Sequence, residues 1–162
     1  MLKKYENSTK IHFLGLISRD EVMEYFKKSD FYIMPTIQDI FGMVFLEAFT
    51  YGSIPISIDT FAINNIINDG NDGFVIDYKN KFHTMKYQYI DKYNLNIDTL
   101  LEKINNEEKN DIINKIVDKL EFLINNREVR NEFILNGFEK VKNGKFSIKS
   151  KNNILENIYK LI

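Results

Sequence analysis

Pro35-Thr36-Ile37-Gln38-Asp39-Ile40-Phe41-Gly42-Met43-Val44-Phe45-Leu46-Glu47-Ala48 opens a stretch that runs on to Val75 as FTYGSIPISIDTFAINNIINDGNDGFV, and its reading decides the fold. An apolar run, Phe31-Tyr32-Ile33-Met34, stops at Pro35, and the chain passes through a polar turn into Phe41-Gly42 and an apolar helical segment. That order is strand, loop and helix N-terminus. In an open parallel sheet, ligands sit beyond the carboxyl ends of the strands, where helix N-termini present unpaired backbone N–H groups that suit an anion. Asp39 and Glu47, eight positions apart, bracket this turn.

Working outward toward the C-terminus, Gly42 to Tyr51 predicts a helix with Val44, Ala48 and Tyr51 on one side and Gly52 as its stop. Ile54-Pro55-Ile56-Ser57-Ile58 predicts a strand, with Pro55 near its start where no ladder donor is needed. Ile63 to Asn68 reads as a short helix or turn, and Asp69-Gly70-Asn71-Asp72-Gly73 as a doubled turn signal leading into a strand at Phe74-Val75-Ile76. Toward the N-terminus, Ile11-His12-Phe13-Leu14 reads as a buried strand ending at Gly15. Ser18 with Glu21 forms a capping box, and Val22, Tyr25 and Phe26 give the following helix one apolar face as far as Lys28.

Four strands alternating with helices argue for βαβ units and a parallel sheet. The expected fold is therefore α/β, a Rossmann-like three-layer domain with a parallel sheet and a C-terminal group of helices. Past Tyr78 the pattern breaks, and residues 78–110 are read as an irregular insertion in a single domain spanning 1–162, with a short helical turn at Asp98–Lys103. Asp111 to Leu123 is amphipathic, Arg127 to Val141 is a second helix, and Ser147 caps a last one bearing Ile154, Ile158, Tyr159 and Leu161. Tyrosines and phenylalanines at helical spacing are expected in the core.

At 44% apolar and 14% aromatic, the chain has ample material for a packed core. With 22 Lys and Arg against 23 Asp and Glu, the charge balance offers no footprint for nucleic acid. No cysteine and two histidines, His12 and His83, leave neither a disulfide framework nor a thiolate or histidine-rich metal site. His12, within an expected strand, reads as a hydrogen-bonded core histidine, and His83 as solvated. No apolar run is long enough for a membrane span, and residues 1–10 lack the apolar stretch of a secretory signal. A cytoplasmic location fits these features, with the lysines between Lys140 and Lys151 the weaker pointer to a peripheral membrane contact.

Asp39-Ile40-Phe41-Gly42 followed by Glu47-Ala48, then Tyr51-Gly52-Ser53-Ile54-Pro55, Asp69-Gly70 and Gly73-Phe74-Val75, resembles the C-terminal, donor-binding domain of retaining glycosyltransferases of the GT-B fold, group 1 type. Phe146-Ser147 with Tyr159 is similar to that domain's closing segment, so the likeness runs over nearly the whole chain. The resemblance implies a hexosyltransferase-type enzyme that moves a sugar from a UDP-sugar or GDP-sugar to an acceptor hydroxyl with retention, without a metal. It implies that Glu47 accepts hydrogen bonds from the donor ribose, and that Asp39 is the catalytic carboxylate near the transferred sugar. It places Phe41 with the backbone N–H groups of Gly42, Met43 and Val44 against the donor's diphosphate and sugar.

The chain departs from the pattern in three ways. Asp39 is one methylene shorter than the family's glutamate, Phe61-Ala62 stands for a Gly-Gly turn, and Asn65 stands for a glutamate. The family's opening strands, with the basic pair that clamps the diphosphate, and its acceptor-binding domain are expected upstream of Met1 or on a separate chain. The chain alone is then expected to be inactive and prone to self-association. The plainer alternatives are that Asp39 only caps the helix at Phe41, that Glu47 lies on a solvated face, and that the chain is a non-enzymatic nucleotide-binding or interaction module.

Overall fold

Every side chain from Ile54 to Ile58 is buried, which requires cover on both faces of that strand and a neighbour on each edge. The structure, a computed structural model, describes residues 5, 8–36, 39, 41–60, 62–78 and 106–160. In chain order it contains α1 (Arg19–Lys28), β1 (Phe31–Ile33), α2 (Met43–Thr50), β2 (Ile54–Ile58), α3 (Ile63–Ile66), β3 (Phe74–Ile76), α4 (Asn106–Asn125), α5 (Arg127–Lys142) and α6 (Ile148–Tyr159). The sheet runs β1-β2-β3 and both pairings are parallel, with Phe31 opposite Ile54 and Ile56 opposite Phe74.

Alternation along the strands divides the core into two layers. Ile54, Ile56, Ile58, Phe74 and Ile76 meet Ile112, Ile116 and Leu123 of α4 and Phe133 of α5 on one face. On the other, Tyr32, Met34 and Val75 meet Phe45 and Phe49 of α2 and Ile63 and Ile66 of α3. This is the three-layer α/β arrangement with a parallel sheet that the sequence predicts.

Pro55 fits its central strand for a specific reason. Its carbonyl faces the β3 side, where a Cβ on Gly73 would lie 2.6 Å from that oxygen. Its ring nitrogen faces the same side, one residue before pairing with β3 begins at Ile56, so no ladder bond is lost. Asp69 closes the turn ahead of β3 by accepting from the Val75 amide at 2.9 Å, and the Gly70 amide donates to the Gly73 carbonyl at 3.0 Å.

Several expectations are corrected. Ile11–Leu14 is not a strand: the ordered sheet offers it no pairing partner, and Ile11, Phe13 and Leu14 are exposed. His12 is accordingly on the surface and not in the core. Residues 106–110, assigned to an irregular insertion, form the start of α4, where Glu107 and Glu108 favour the helix N-terminus. Residues 79–105, which hold His83 and the turn expected at Asp98–Lys103, lie outside the described residues, as does Leu161. Tyr25, Phe122, Phe138 and Tyr159 are exposed, so helical spacing of aromatics does not by itself place them in the core. The expected face of α6 exists, yet that helix buries none of its residues. No described helix is long and apolar enough to cross a membrane.

Beside the packing of Phe133, helix α5 is tied to the rest by a buried ion pair. The Lys140 ammonium pairs with Asp72, which is 0% exposed, donates to the Ile66 carbonyl at 2.6 Å, and lies 5.1 Å from the centre of the Phe49 ring. Asp72 also accepts from the Asn68 amide at 2.8 Å. Burial pushes the Asp72 carboxyl above its ordinary pKa, and Lys140 and the Asn68 amide offset this only in part.

Lys140→Met therefore leaves a buried carboxylate without its cation, and we expect a loss of about 3 to 5 kcal/mol at neutral pH, read by urea unfolding. Removing Lys140 raises the Asp72 pKa further, so the deficit shrinks as pH falls through that raised value and the carboxyl becomes neutral. A deficit that stays constant from neutral pH down into the usual carboxylate range would contradict this account.

Candidate functional site

The carboxyl end of β1 leads into the turn before α2, and β2 holds that turn in place. The buried Ser57 hydroxyl donates to the Met34 carbonyl at 2.8 Å, and the buried Thr60 hydroxyl donates to the Thr36 carbonyl at 2.9 Å. Two hydroxyls thus bond the residues on either side of Pro35 to β2 and its end, the Met34 carbonyl also accepting from the Thr36 amide at 2.8 Å.

Gly42 is the N-cap of α2 and has φ +78°, in the left-handed region. A Cβ there would lie 2.7 Å from Phe45 Cδ2 and 3.2 Å from Ile63 Cδ1, so both conformation and space require glycine. Gly42 has no side chain to cap the helix with, and Asp39 closes the turn just ahead of it. Asp39 Oδ1 accepts from the Phe41 amide at 3.1 Å and from the Gly42 amide at 2.6 Å. The carboxylate sits where the helix dipole favours an anion. The Gly42 N–H, carried over from the family as a diphosphate donor, is thereby engaged by Asp39. Met43 and Val44 are the first helical residues, whose N–H groups have no acceptor within the helix.

Glu47 lies one turn further along α2 and is 31% exposed; its Oε1 accepts from Arg19 Nη2 at 2.8 Å. Arg19 opens α1, directly after the N-cap Ser18, whose hydroxyl accepts from the Glu21 amide. Phe41 is exposed and meets Phe146 edge to face at 6.4 Å, while Met43 is exposed and Val44 half-buried.

Tyr32 lies in β1, just before the turn. Its ring is half-buried, edge to face with Phe26 at 5.1 Å and with Phe45 at 5.7 Å, and its hydroxyl donates to the Met34 sulfur at 3.0 Å. Burial first, and then the negative charges of Asp39 and Glu47, push its phenol above the ordinary pKa, so the group stays protonated. Tyr32 is thus within electrostatic reach of both carboxylates.

Sequence reasoning alone missed Arg19 and Tyr32. A signal existed for the first. A cation at the first position of a helix opposes the dipole, while Asp20 and Glu21 beside it suit that dipole, so Arg19 serves something other than its own helix. Tyr32 gave no such signal, because a tyrosine in an apolar strand reads only as core.

A parallel α/β/α domain with its candidate residues at the carboxyl end of the sheet defines a Rossmann-like domain. The family model for glycosyl transferases group 1 matches residues 1–87, more than half of the chain, and the chain belongs to that family. The crystal structure of the C-terminal domain of the glycosyl transferase group 1 family protein LpcC from Francisella tularensis has the same fold. It superposes with a TM-score of 0.61 at 21% identity, covering 91% of this chain and 59% of that one. This chain thus spans about three fifths of that chain's length. Comparison with curated proteins finds no match.

Gly42→Ala is expected to destabilise the domain by about 1 to 3 kcal/mol, because it combines a left-handed φ with a clash against Phe45. Thermal unfolding followed by circular dichroism measures this. A melting temperature equal to the parent's would mean that the turn relaxes freely.

Proposed function

We propose that this chain is the donor-binding half of a glycosyltransferase that uses a nucleoside-diphosphate sugar, with UDP or GDP as the nucleotide, and retains anomeric configuration. The observation that supports it is Asp39 on the amides of a left-handed glycine turn ahead of α2, the helix that carries Glu47, in a chain of the group 1 family. In the reaction, the bond from the sugar's anomeric carbon to the diphosphate breaks and a bond to the acceptor oxygen forms on the same face. The acceptor's proton leaves with the diphosphate.

Glu47 accepts hydrogen bonds from two vicinal ribose hydroxyls, an arrangement favoured by its charge. Its existing partner does not prevent this. An ion pair in which Arg19 is 80% exposed contributes about 0 to 1 kcal/mol, so hydroxyls of a bound nucleotide can replace the guanidinium. Asp39 Oδ1 is held by two amides, and its other oxygen is assigned to a hydroxyl of the transferred sugar. The Met43 and Val44 amides and the dipole of α2 stabilise charge on the departing diphosphate. An acceptor-binding domain, on the same chain or another, completes the enzyme.

Glu47→Ala is expected to weaken UDP or GDP by about 1.5 to 3 kcal/mol in calorimetric titration, the size of hydrogen bonds to a charged group. Unchanged affinity for both nucleotides would sink the ribose assignment.

Asp39 is tested by turnover with the acceptor-binding part present. Asp39→Asn keeps an oxygen for the two amides, since Asn caps about as well as Asp. It should lower turnover while leaving nucleoside-diphosphate affinity unchanged, because that ligand lacks the sugar. Parental turnover in both Asp39→Asn and Asp39→Glu would confine Asp39 to the cap.

A further inference from the structure

We infer that Arg19 is a phosphate-binding residue of the donor site, which moves from Glu47 to the nucleotide's diphosphate when the ribose hydroxyls take over Glu47; this rests on the donor-site function proposed above. Three observations support it. Arg19 stands at the first position of α1, where the helix dipole disfavours a cation, so helix stability does not account for it. Its guanidinium already reaches across to α2 and contacts, at 2.8 Å, the carboxylate assigned to the ribose. It is 80% exposed, so its side chain has room to reorient without disturbing any packing.

The chemistry of the leaving group favours a cation at this position, in addition to the basic pair that the family resemblance implies. A nucleoside diphosphate departs with its negative charge concentrated on phosphate oxygens, and amides alone leave much of that charge unmatched. The Gly42 amide is already engaged by Asp39. Guanidinium presents paired N–H donors that fit phosphate oxygens bidentately. Glu47 lies four residues beyond Met43, about 6 Å along the axis of α2, so a side chain reaching Glu47 is within one turn of the helix N-terminus.

The exchange also removes an energetic conflict. With ribose hydroxyls on Glu47, a guanidinium left in place would compete with them for the same oxygen. Transfer to phosphate keeps Arg19 paired while releasing Glu47. Arg19 thereby couples recognition of the ribose to recognition of the diphosphate, and the site selects for a ligand carrying both.

The test is calorimetric titration of the full chain with uridine and UDP, and with guanosine and GDP, for the parent, Arg19→Gln and Glu47→Ala. Arg19→Gln should cut the ratio of diphosphate to nucleoside affinity about tenfold, the loss of one charge-assisted hydrogen bond. Nucleoside binding should stay level or tighten, because Glu47 loses its competitor, and diphosphate binding should become less sensitive to salt. A ratio unchanged by Arg19→Gln, while Glu47→Ala weakens nucleoside and diphosphate alike, overturns the role of Arg19 and leaves the ribose assignment standing. If Glu47→Ala alters neither, or no nucleotide binds the parent, the donor-site assignment falls and the role of Arg19 with it.

Discussion

Strand β2 can exist only as the middle of something. All five of its residues are buried, so it demands a parallel neighbour on each edge and a helical layer on each face. β1 and β3 supply the edges, α2 and α3 one face, and α4 with α5 the other. The polar residues of this region are consistent with the same demand: Ser53, Ser57 and Thr60 are buried, and each donates its hydroxyl to a carbonyl in or just after α1 or at the end of β1. Those bonds fix where the chain leaves the sheet, and the candidate site begins at that point.

The site is built by competition for a few backbone amides. A helix start offers several N–H groups with no internal acceptor, and any anion nearby is drawn to them. Asp39 takes the Phe41 and Gly42 amides, which orders the turn and orients its carboxylate. The same bonds reduce what is left for a ligand to the amides further into α2. The turn uses only one of the two Asp39 oxygens, since both amides bond to Oδ1. The shorter side chain suits this arrangement, since it keeps the carboxylate close to its own turn.

Elements marked by local chemistry are legible in the sequence. The Ser18–Glu21 box, Gly42, Gly52 and the Asp69–Gly73 turn each leave a signature that does not depend on distant residues, and α1, α2 and β3 fall where those signatures put them. β2 is equally legible from the isoleucines at every second position, Ile54, Ile56 and Ile58. Features that depend on a partner are not legible. Ile11–Leu14 has strand composition, but a strand is defined by its neighbour, and no described strand lies beside it. The aromatic residues of α4, α5 and α6 have helical spacing, yet which of them are covered depends on what the fold brings against them. In the candidate site, Asp39, Gly42 and Glu47 are picked out by the family resemblance, whereas the contact of Arg19 with Glu47 comes from packing α1 against α2.

The ion pair beneath α5 also bears on evolutionary units. Lys140 joins a helix far along the chain to Asp72, to the Ile66 carbonyl and to the Phe49 ring, all of which belong to the segment that carries the family's signature. Close by, Gly137 exists to let α5 approach Phe49, whose ring occupies the space a methyl group would need. The portion recognisable by descent is therefore smaller than the portion that folds. Beyond the core position Phe133, α5 thus carries two further constraints, one cation and one bare backbone position, that are invisible to any motif drawn from the site itself.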